Sequence, residues 1–133
     1  MSVNDVAVKY GRPVSMIATV AVDDYDVVII GTGCNEVIKS AAVTSRALGV
    51  VRNGAAAGSS VSVYGHTGDV YLCRLGTGGA TAGNVLGPAA DGEVCVITPG
   101  TTSQLGVGFA LKTGVENDII PVLWQPQVFV THE

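Results

Sequence analysis

Ser60-Val61-Ser62-Val63-Tyr64 alternates polar and apolar residues. A period of two, rather than the 3.6 of a helix, marks a strand with one face in a core and the other in solvent. Gly65-His66-Thr67-Gly68 then turns the chain into a second apolar run, Asp69 to Leu75. The rhythm continues in both directions. Upstream, Val14 to Val22 places Ser15, Ile17, Thr19 and Ala21 on one face and Val14, Met16, Ala18, Val20 and Val22 on the other. Asp26 to Ile30 is closed by Gly31-Thr32-Gly33, and Arg46 to Val51 runs into the turn dipeptide Asn53-Gly54. Downstream come Asn84-Val85-Leu86, then Glu93 to Ile97 behind the turn Asp91-Gly92, then Leu105 to Leu111 and Asp118 to Trp124. Pro121 has no N–H to give to a ladder, which predicts an edge or bulged strand there. Only Asn35 to Ala47 carries apolar residues at helical spacing (Val37, Ile38, Ala41, Ala42), consistent with a short helix or a loop. Strands roughly every 8 to 12 residues with turns between them predict an all-β fold, a compact β-barrel or sandwich of short antiparallel strands. Residues 14–133 form a single β domain in this reading, behind an extended N-terminal arm, Met1 to Pro13, that has no apolar period.

The composition agrees. Hydrophobic residues make up 47% of the 133 and charged ones 14%, the reverse of the balance that keeps a chain disordered. Eighteen glycines occur without a Gly-X-Y period and with only 5 prolines, which excludes collagen. Few aromatics leave Val, Ile, Leu and Ala to build the core, again favouring sheet. A mean hydropathy of +0.44 predicts apolar surface that a partner covers. The net charge of −4 argues against nucleic acid, because the seven Lys and Arg (Lys9, Arg12, Lys39, Arg46, Arg52, Arg74, Lys112) form no cluster along the sequence. Val14 to Val22 is too short and too polar to span a membrane, and no cleavage site follows it as in a signal peptide.

No stretch assembles a reactive constellation. Gly76-Thr77-Gly78-Gly79-Ala80-Thr81-Ala82-Gly83 resembles a phosphate loop only in its glycines; no Lys follows and no crossover helix comes next, so it reads as a wide hairpin loop. Asp23, Asp24 and Asp26 lack the spacing and distal Glu of a calcium loop and read as a solvated turn. His66 and His132 stand apart, without metal-ligand spacing. Cys34, Cys73 and Cys95 are an odd number without C-x-x-C and read as free buried thiols. No Ser sits in a G-x-S-x-G elbow. The expectation is a structural protein: no enzyme, cofactor, metal, nucleic acid or membrane.

The order of the pieces carries a resemblance. Leu48-Gly49-Val50-Val51, Asn53-Gly54-Ala55-Ala56-Ala57-Gly58, Val61-Ser62-Val63 and Gly65 come first. Ala82-Gly83-Asn84-Val85-Leu86, Ala90-Asp91-Gly92, Leu105 to Leu111 and Asp118 to Leu123 follow. Together, over Ala47 to Leu123, they resemble the small capsid decoration (cement) proteins of tailed bacteriophages. The resemblance implies a homotrimer on the outer surface of the virion capsid, at threefold and quasi-threefold positions, stabilising the head by bridging major capsid subunits. It implies capsid contacts through the arm, with Val3, Val6, Val8, Tyr10 and Arg12 as candidates. A small-ligand-binding or enzymatic β-barrel, and a tail or fibre component, are the rival readings.

Overall fold

The computed structural model describes residues 12–42, 45–97 and 104–129. These are all-β, with ten strands and one 3-10 turn, Ala90–Gly92. The first five strands are β1 (Val14–Ala18), β2 (Val27–Ile30), β3 (Glu36–Lys39), β4 (Ala47–Val51) and β5 (Ser60–Tyr64). They close into a barrel in the order β1-β3-β2-β4-β5, with β5 returning to β1. All its pairings are antiparallel except β1 with β3.

The other five are β6 (Val70–Arg74), β7 (Val85–Pro88), β8 (Val94–Val96), β9 (Gln104–Ala110) and β10 (Ile119–Phe129), in the sheet order β6-β10-β9-β7-β8. This sheet repeats the first barrel strand for strand. Met16↔Val61 between β1 and β5 recurs as Cys73↔Ile120 between β6 and β10. Val27↔Val50 and Val28↔Gly49 recur as Val85↔Phe109 and Leu86↔Gly108. Ile30↔Val37 recurs as Pro88↔Val94, and Val51↔Val63 as Ala110↔Val122. The parallel contact Ala18↔Val37 has its counterpart in the parallel bridge Leu75↔Val94, which joins the two outer edges of the second sheet. The fold is therefore a tandem repeat of one five-stranded barrel topology.

The loops repeat as well. Val22 and Ala55 exchange two backbone hydrogen bonds, as do Ala80 and Gly114. Asp26 accepts a hydrogen bond from the Asp23 N–H, and Asn84 accepts one from that of Thr81. Asp and Asn do this because a short side-chain oxygen reaches the backbone three residues upstream. Tyr25 (φ 69) holds the left-handed conformation that Gly83 (φ 93) holds in the second half.

Matched inward positions are buried in both halves: Met16 and Cys73, Ala18 and Leu75, Val22 and Ala80, Val28 and Leu86, Val37 and Val94, Val51 and Ala110, Val61 and Ile120, Val63 and Val122. Small residues in one barrel stand where large ones do in the other, so total volume rather than identity is kept. Two outward residues of the first barrel, Val27 and Val50, join the second barrel's core, with Ala47 and Tyr64 packed against it. That shared cluster fixes the two halves together.

Three expectations from the sequence need correction, and a fourth, for Pro121, is met in one of its two forms. Part of the segment with helical spacing is strand β3; a strand of four residues is too short to display its own period. Val14 to Val22 is strand only as far as Ala18. Pro121 lies in β10, which is central between β6 and β9 and not at an edge, but the strand is bulged as the alternative had it, its register with β9 shifting between Trp124 and Gln127. Its nitrogen faces the β9 side, where the ladder ends at Ala110, and its carbonyl accepts from Leu111 N–H. The glycine-rich loop is not a hairpin, because β6 and β7 are not neighbours in the sheet.

Candidate functional site

Three regions concentrate chemistry. At the junction of the halves, the fully buried Asp26 carboxylate takes Arg74 Nη2 at 2.8 Å and lies 3.6 Å from Lys39 Nζ. Arg74 also donates to the Asp91 carbonyl and approaches Glu93 at 3.5 Å, while Lys39 reaches Asp23 at 3.3 Å. Burial alone would lower the pKa of Arg74; the hydrogen bond and charge of Asp26, helped by Glu93, outweigh it and hold the group protonated. Lys39 follows the same pattern, with burial opposed by Asp23 and Asp26. Ser40 adds a hydroxyl hydrogen bond to the Ala89 carbonyl. The expectation of a solvated acidic turn thus holds for exposed Asp23 and Asp24 and fails for Asp26. Its partner Arg74 lies in another strand of the other half, beyond the reach of local reading.

The second region is an apolar cleft of about 440 Å³ at one end of the first barrel, lined by Arg12, Val14, Met16, Ile30, Leu48, Val63, Gly65 and His66. Val14 is 61% and Ile30 57% exposed, high values for aliphatic side chains. Arg12 is the only arm candidate within the described residues, and it is exposed at the lip of this cleft. Val3, Val6, Val8 and Tyr10 lie outside the described residues. The cleft is not legible in the sequence because its lining comes from four separate segments.

The third is a wider, shallower groove where the halves meet, running over Val22, Asp24, Tyr25, Gly54, Arg74 and Ile119. Asp24 Oδ1 there accepts the Gly54 N–H at 2.6 Å, fastening the β2 approach to the Asn53-Gly54 turn.

Among the described residues no group of three or more His, Cys, Asp or Glu is placed to hold a metal ion. His66 sits on an exposed turn with Nδ1 against the Thr67 carbonyl. Cys73 is buried and Cys95 half-buried, whereas Cys34 is exposed, against the expectation of three buried thiols. No helix among the described residues is long and apolar enough to cross a membrane.

No family model matches the sequence, and no curated relative does. Among solved structures, the fold is similar to the N base of head fiber gp8.5 of bacteriophage phi29, with a TM-score of 0.70 at 16% identity. The match covers 90% of this chain and 96% of that one, so the likeness takes in both halves of the tandem barrel.

Proposed function

We propose that this chain is a structural component of a bacteriophage head, a decoration or cement protein on the outer capsid surface and not an enzyme. The observation that carries the reading is the likeness to a head fiber base over nearly the whole of both chains. The exposed aliphatic residues Val14 and Ile30 and the low charge support it, since such surface is most stable when covered. In this reading the protein acts as a homotrimer at threefold and quasi-threefold positions and bridges major capsid subunits, with the arm (Val3, Val6, Val8, Tyr10, Arg12) making contact. A ligand that binds the assembled shell and not its free subunits stabilises the shell by mass action, and three linked contacts add avidity.

A second reading, favoured by what the similar structure is, makes the chain the base that anchors a fibre to the head. One experiment addresses both. Purified protein is titrated onto heads lacking it and the particles are imaged by electron cryomicroscopy. Saturable density on threefold positions, with heads that release DNA at a higher temperature once decorated, is the expected result. Density elsewhere on the head without added heat resistance favours the fibre base, and no saturable binding overturns both.

A further inference from the structure

The repeat makes an internal comparison possible at the cleft. In the second barrel the end is filled from within by Tyr71, Pro88, Val107 and Trp124, all buried. The Tyr71 and Trp124 rings lie 5.7 Å apart and tilted by 57°, a favourable aromatic arrangement. By strand register the matching positions of the first barrel are Val14, Ile30, Leu48 and Gly65. Two rings are thus replaced by a valine and a glycine. The space they would fill is the open cleft, floored by Met16 and Val63 and lipped by Arg12 and His66.

We propose that this end of the first barrel is a socket for an aromatic side chain, tryptophan or tyrosine, presented by a partner protein. The barrel topology is the same in both halves, and where the chain closes this end itself it does so with an indole and a phenol ring. Walls of Val, Ile, Leu and Met give the apolar contact that makes a ring an effective anchor in a protein interface. Arg12 at the lip offers a guanidinium to stack on the ring or to bind a neighbouring carbonyl. That the partner is a subunit of the phage head rests on the function proposed above; the socket itself does not.

The test uses the full chain with N-acetyl-tryptophanamide as probe and N-acetyl-leucinamide as comparison, read by methyl NMR at Met16, Leu48 and Val63. Saturable shifts confined to these methyls, with the tryptophan probe clearly preferred, are expected. Val14→Tyr restores the ring that the second barrel has at Tyr71, and Ile30→Glu puts a charge on an exposed rim residue. Each should weaken the probe about tenfold or more with the circular dichroism spectrum unchanged, and should weaken binding to heads by a similar factor. Equal binding of both probes, no saturable shift, or probe binding untouched by both variants overturns the proposal; head binding untouched by both counts against a head subunit as the partner. So does a wild-type chain that takes no probe while Tyr10→Ala takes it, because the arm's own tyrosine is then the occupant. Probe binding by a chain that does not bind heads supports the socket and counts against the head reading alone.

Discussion

Asp26 of the first barrel and Arg74 of the second form a 2.8 Å ion pair, and the carboxylate is wholly removed from solvent. The same aspartate also caps the turn before β2, so one side chain serves the local fold and the junction of the halves. Its counterpart Asn84 keeps only the first of these roles.

Arg74→Ala should cost about 3 kcal/mol, the low end of the range for stranding a buried charge, because Lys39 remains 3.6 Å away. Asp26→Asn copies Asn84, retains the turn and should cost less, about 1–2 kcal/mol. Urea unfolding measures both, and an Arg74→Ala protein as stable as wild type would show that the pair does not hold the halves together.

Gly49 and Gly108 occupy matched positions on β4 and β9. A Cβ at Gly49 would lie 2.5 Å from the Tyr64 carbonyl oxygen, and one at Gly108 would run into that of Leu123. Both obstacles are backbone, so Gly49→Ala and Gly108→Ala should each destabilise by about 3 kcal/mol or more. Gly58 has open space but a φ of +87, so Gly58→Ala should cost only about 1 kcal/mol. Thermal unfolding of the three variants side by side checks the ranking.

Burial pushes the Cys73 thiol up from 9.0 to about 12. Between those values the unfolded chain loses a proton that the folded chain keeps. Stability from this group is therefore complete below pH 9 and declines as the pH rises towards 12, by up to about 4 kcal/mol. Lys39, held protonated beyond its ordinary 10.5, steepens the loss at the alkaline end. Cys73→Ala should flatten the stability profile between pH 9 and 12; an unchanged slope would assign it to other groups.

The three thiols should separate by access. Cys34 is exposed and should react at once with a disulfide reagent, Cys95 slowly, and Cys73 only on unfolding. Peptide mapping after timed labelling reads the order, and early labelling of Cys73 would mean that the second barrel opens readily.

The strands were legible wherever their length let a period show, as at Ser60–Tyr64 and Gln104–Ala110. β3 was not, because its four residues run on into Ala41 and Ala42 and mimic a helical stripe. The tandem repeat was hidden for a different reason. What the halves share is a hydrogen-bond pattern, which nearly any side chain satisfies. Matched strand positions are identical only at Val27 and Val85, Glu36 and Glu93, Val37 and Val94, Gly49 and Gly108, and Val63 and Val122. A usable signal lay in the loops, where Asp23 to Val27 and Thr81 to Val85 both run turn, left-handed residue, Asp or Asn, valine. Of the proposed contact residues, Arg12 alone can be placed, and it falls beside a cleft whose other walls are scattered from Val14 to His66.

Every ladder of the first barrel closes between Val14 and Tyr64. A ribosome has therefore delivered all its strands before β6 emerges, and at about 5–20 residues per second the second half follows some seconds later. During that interval Val27, Val50 and the Asp26 carboxylate face water, although each is fully covered in the finished protein. The nascent chain thus carries a preformed apolar template with a charge set in it. Arg74, leaving the tunnel soon after β5 is complete, is the first long-range cation to reach it from the second half. Synthesis in this direction makes the earlier barrel the mould on which the later one condenses, and a circular permutant that begins at Gly68 would have to fold without that advantage.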